Sequence, residues 1–99
     1  MIVGQVVGTA VATRKSEALV GQKLLVLKPL HSSRKQDLFI AVDTVGAGVG
    51  ETVLVALGSA ARQALTRSEA PVDAAIVGIV DTIKIAGSDQ GRVINDADK

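Results

Sequence analysis

The stretch from Ala41 to Arg62, AVDTVGAGVGETVLVALGSAAR, sets two apolar, β-branched runs on either side of a loop carrying Gly46, Gly48 and Gly50. Residues 37–45 and Thr52 to Leu57 both read as strands, and the glycines between them permit the positive φ that a tight reversal demands. A dinucleotide-binding turn would need GxGxxG opening a helix, whereas here the spacing is GxGxG and a strand follows. The three glycines are therefore read as structural, and the loop as a reversal rather than a phosphate cradle.

A chain of 99 residues forms one domain with a small core. Hydrophobic residues make up 47% of it, so apolar patches must stay on the surface of an isolated subunit, and such patches mark association surfaces. Phe39 is the only aromatic residue, which leaves Val, Ile, Leu and Ala to fill the interior. The net charge is +1, and Arg14-Lys15 and Arg34-Lys35 are the only adjacent basic pairs. No footprint for nucleic acid or anionic lipid emerges. Without cysteine the chain has no disulfide, thiolate metal site or cysteine nucleophile. No run approaches the ~20 apolar residues of a membrane helix, and the N-terminal stretch, interrupted by Gly4, Gln5, Gly8 and Thr9, does not read as a secretory signal. The expectation is a soluble, intracellular protein with no membrane partner.

The pattern predicts five strands: Ile2 to Thr13, Lys23 to Leu30, residues 37–45, Thr52 to Leu57, and Ile76 to Ile85. Gly4 and Gly8 in the first imply sharp curvature or close backbone approach. A short helix from Ala60 to about residue 66, with Ser59 as its N-cap, is expected between the fourth and fifth strands, and a turn at Val72 to Ala75. Together these specify an all-β chain, a small five-stranded OB-like barrel over residues 1–86, followed by a polar tail over 87–99. Closure into a barrel removes the exposed edges that Val-rich strands would otherwise present.

Little in the sequence carries reaction chemistry. His31 is the single histidine and has no HxxxH or cysteine partner, so it reads as a loop residue. Asp43 and Asp81 interrupt apolar strands and are expected to face water or an interface. No catalytic residue, cofactor site or metal site is expected.

The blocks AVDxVGAGxGE, VLV and GSxAR within residues 41–62 resemble the EutN/CcmL family, the vertex pentamers of bacterial microcompartment shells. The opening MIVGQVVGTAVATRK, the segment LVGQKLLVL from Leu19, and PVDAAIVGIVD from Pro71 are similar to other blocks of that family and stand in its order. One departure is visible: the family often has GSSAR where this chain has Gly58-Ser59-Ala60-Ala61-Arg62. The resemblance implies a non-enzymatic homopentamer in the cytoplasm, capping fivefold corners of a shell and meeting hexameric shell proteins. It further implies that Gly58, Ser59 and Ala60 line a central pore, and that Glu51, Ala61 and Arg62 lie at the subunit interface. The chain looks more like the pentamers of catabolic compartments than those of carboxysomes. The alternative from another class, an OB-fold nucleic-acid binder, would stack bases on aromatic side chains along a basic groove, and this chain has one Phe and almost no net charge.

Overall fold

The computed structural model describes residues 1–13, 15–31, 37–65, 71–86 and, as backbone, 92–95. Five strands, β1 (Ile2–Ala10), β2 (Lys23–Pro29), β3 (Phe39–Asp43), β4 (Thr52–Leu57) and β5 (Ala74–Ile79), close into a barrel in the order β1-β2-β3-β5-β4. A short helix, α1 (Ser59–Gln63), lies between β4 and β5 in the chain. The expected five-stranded barrel with one intervening helix is thus present.

Closure falls on β1, which pairs antiparallel with β4 through residues 2–5 and with β2 through residues 4–10. A bulge between Val6 and Gly8 bends the strand where it passes from one duty to the other. Gly4 belongs to both ladders and sits in the crowded stretch. A Cβ there would lie 3.2 Å from the Lys28 carbonyl oxygen, tighter than most such contacts, so a side chain would push the two strands apart by a few tenths of an ångström.

Strand alternation sends Leu25 and Leu27 of β2, Ala41 of β3, Val53 and Val55 of β4, and Ala74 and Ile76 of β5 inward, where they pack with Val6. Phe39 packs against this interior from the β3 end. A second cluster lies outside the barrel, where α1 places Ala61 against Val42, Val72 and Ala75. The position follows from the sheet: β3 and β5 run parallel and pair only through Val42↔Ala75 and Asp43↔Ile76, the shortest seam of the barrel. The helix covers that seam with apolar side chains.

Several expected boundaries change: the first strand ends at Ala10 rather than Thr13, the second at Pro29 rather than Leu30, and the third spans Phe39–Asp43 rather than 37–45. The turn expected at Val72 to Ala75 gives way to strand at Ala74, because Ala75 pairs with both Val42 and Ala56. The long fifth strand expected over Ile76 to Ile85 is broken at Val80 and Asp81, where the Val80 amide bonds the Thr52 carbonyl at the end of the barrel ladder. Beyond the break, β6 (Thr82–Ile85) leaves the barrel and pairs antiparallel with β7 (Arg92–Asn95), so four residues of the stretch expected as a polar tail are strand. The helix expected from Ala60 to about residue 66 instead starts at Ser59 and ends at Gln63, with Ala64 as its C-cap; residue 66 itself lies outside the described residues. Among the described residues no helix is long and apolar enough to cross a membrane.

Gly4→Ala is expected to destabilise the subunit by about 1–3 kcal/mol through overpacking against the Lys28 carbonyl. Urea denaturation at fixed subunit concentration measures it; an unchanged midpoint would show that β1 and β2 separate freely there.

Candidate functional site

The loop between β3 and β4 is more than a reversal. Ala47 at its centre is fully buried and belongs to the interior cluster, so the loop folds inward and plugs one end of the barrel. Gly46 (φ 81°) and Gly50 (φ 95°) take the left-handed conformation that turns the chain in and out again. Gly48 does not, and a side chain there would stand in ordinary contact with Glu51 Oε1 at 3.6 Å. The expectation of a shared conformational need among the three glycines is corrected on this point.

Two carboxylates stitch the loop. Asp43 Oδ1 accepts from the Val45 and Gly46 amides at 3.0 and 3.2 Å, and Glu51 Oε1 accepts from the Gly48 amide at 2.7 Å. Lys23 Nζ donates to the Ala47 carbonyl at 2.9 Å and lies 3.8 Å from Asp43 Oδ2. The lysine side chain is half exposed, so that ion pair contributes little beside the two amide bonds. The Asp43 side chain is only 2% exposed, which corrects the expected water-facing carboxylate: it is an internal acceptor that holds the loop. Asp81, in contrast, is exposed.

The turn Gly58-Ser59-Ala60 follows β4, and all three residues are exposed. Gly58 is the N-cap of α1 at φ 62° and ψ −136°, and the helix has no side-chain cap bond. This corrects the expected Ser59 cap: Ser59 already belongs to the first turn, and the Ala61 amide is satisfied by the Gly58 carbonyl at 3.1 Å. Ala61 is 0% exposed, so its place is the core beneath the helix rather than a subunit interface. Arg62 is half-buried and donates from Nη1 to the Val72 carbonyl at 3.4 Å. Glu51, expected to reach across subunits, is turned onto its own loop.

The described residues hold no gathering of three or more His, Cys, Asp or Glu side chains suited to a metal ion. His31 is exposed beside an apolar cleft. What the surface does display is aliphatic: Val7, Val11, Val20, Val45, Val49 and Ile85 are exposed among others.

A family model described as Ethanolamine utilisation protein EutN/carboxysome matches residues 1–81. The chain belongs to the EutN/CcmL family. The shell vertex protein GrpN of Rhodospirillum rubrum strain F11 is 49% identical over 86 residues, covering 85% of this chain and 97% of the relative. Among solved structures, the GrpN pentameric microcompartment shell protein from Rhodospirillum rubrum superposes with a TM-score of 0.74 at 45% identity, covering 88% of this chain and 100% of that one. CcmL of Nostoc sp. PCC 7120 superposes at 0.77 with 46% identity, covering 84% and 92%. The nucleic-acid alternative finds no support among these EutN/CcmL relatives.

Sequence reasoning missed the plug. Its only signal was an alanine flanked by two glycines, and nothing local distinguishes an inward from an outward loop apex. Asp43→Ala is expected to lower stability by about 1–2 kcal/mol by removing the acceptor for two amides, with Asp43→Asn losing less than half as much; equal losses in urea melts would show that the bonds to Oδ1 contribute nothing. Gly50→Val is expected to cost about 1–3 kcal/mol of backbone strain, read in the same melts, against a smaller loss for Gly48→Ala.

Proposed function

We propose that this chain is a structural subunit of a bacterial microcompartment shell, located in the cytoplasm and assembling as a homopentamer that caps fivefold vertices. The observation that carries the reading is the match, across nearly nine-tenths of the chain at 45% identity, to a relative described as a pentameric microcompartment shell protein. The physical features agree with it. A closed barrel leaves no strand edge to recruit chains indiscriminately, while the aliphatic side chains left on its outside need partners. Flat layers of hexamers cannot close on themselves, so the partners of such a pentamer are the hexameric shell proteins around it. The role is non-enzymatic.

Two elements of the reading concern particular residues. Gly58, Ser59 and Ala60 form an exposed turn of small side chains, which suits a crowded central opening. Arg62 carries five N–H donors, of which the Val72 carbonyl takes one, and the others suit a fork onto a neighbouring subunit.

Mass measurement of the native assembly is expected to give five subunits; a monomer or dimer at micromolar concentration would overturn the reading. Ser59→Trp is expected to leave five subunits and narrow the opening. A structure of the ring checks the placement, with residue 59 of every subunit near the fivefold axis; residue 59 on the outer rim, or loss of assembly in the variant, would remove the pore assignment.

A further inference from the structure

The β6–β7 ladder stands outside the barrel and, among the described residues, is paired only with itself. A two-stranded ladder is marginal in water and needs an apolar face covered. Ile83 and Ile85, two apart in β6 and so on one face, line a cleft of about 420 Å³ with Ile2, Val3, Leu30 and His31. Among the described residues nothing covers that cleft: Ile85 and Leu30 are both exposed. Only His31 among the six can ionise.

At the opposite end of the strands, the plug loop projects Val45 and Val49, the latter 63% exposed. Residues 44–50, TVGAGVG, contain no ionisable side chain. The flanking Asp43 and Glu51 are turned onto the loop's own amides. The projecting side chains are therefore aliphatic and the loop is already set in shape, with the half-exposed Lys23 ammonium on the Ala47 carbonyl as the charge beside it, so seating Val45 and Val49 in an apolar slot orders little chain. Knob and slot lie at opposite ends of one subunit and cannot meet within it. A contact between the knob of one copy and the slot of the next would be head-to-tail, which closes into a ring when the rotation between copies closes.

We propose that the loop of one subunit seats Val45 and Val49 in the cleft that β6 forms with β1 and the end of β2 on the next subunit. The inference rests on the pentameric reading above. A second copy is the occupant because it supplies the matching aliphatic knob in fixed number, and because the ladder needs permanent cover rather than an occasional visitor.

The chain has no cysteine, so Val49→Cys combined with Ile85→Cys introduces the only two thiols. Oxidation of the dilute, purified assembly is expected to give a ladder of covalent dimers to pentamers on a non-reducing denaturing gel, with the native mass unchanged. A wild-type pentamer whose double variant yields only monomer bands overturns this docking and leaves the pentameric reading standing; a wild-type monomer overturns both. Val49→Asp provides a second measurement that does not depend on the thiols, since the exposed position tolerates the change within the subunit. It is expected to raise the subunit dissociation constant about tenfold or more. If Val49→Asp leaves the ring intact and instead blocks co-assembly with hexameric shell proteins, the loop serves a different partner and the inference fails.

Discussion

The structure depends on barrel closure, in which every strand serves two neighbours and β1 does so through a bulge. β1 hydrogen-bonds to β4 along its first residues and to β2 along the rest, and without that double engagement the five strands would be an open sheet with Val-rich edges. Two features of its sequence favour this. Gly4, shared by both ladders, lets the Lys28 carbonyl approach more closely than most Cβ contacts allow, and the bulge at Val6 to Gly8 supplies the bend. Once β1 closes the circuit, the inward positions of every other strand are decided by alternation, and Leu25, Leu27, Val53, Val55 and Ile76 meet across a narrow interior.

The ends of that interior are finished in different ways. At one end the glycine loop drops Ala47 inward and is held by Asp43, Glu51 and Lys23. At the other, Ile2, Phe39, Leu57, Asp73 and Ala74 line a mouth of about 450 Å³. The helix does not fill that mouth, although it follows the strand that ends there. It packs outside, because the parallel seam between β3 and β5 is two residue pairs long and needs its outer face covered.

These choices suit a building block. Polar side chains around the plug loop serve the backbone: Thr44 Oγ1 donates to the Ile76 carbonyl at 2.7 Å, and both loop carboxylates bind amides. The molecule puts hydrogen-bonding side chains into fixing the shape of its loop and presents aliphatic side chains outward, the division expected of a subunit that packs into an assembly.

The sequence by itself determined the fold class and the family. Period-two alternation, β-branched runs and the GxGxG reversal specify strands whatever surrounds them, and Thr52 to Leu57 was legible to the residue because turn chemistry bounds it on both sides. Local pattern could not say where a side chain with two options would go. AVDTV and IVDTI, at 41–45 and 79–83, are near-identical in sequence, yet Asp43 turns inward onto amides while Asp81 is exposed where β5 gives way to β6. Ala61 and Ser59 show the same limit, one read as interface but buried under its own helix, the other read as a cap but displaced by Gly58. Only the tertiary structure decided these, because burial of one residue depends on which distant strand closes over it, and that is settled by barrel closure rather than by neighbours in the chain.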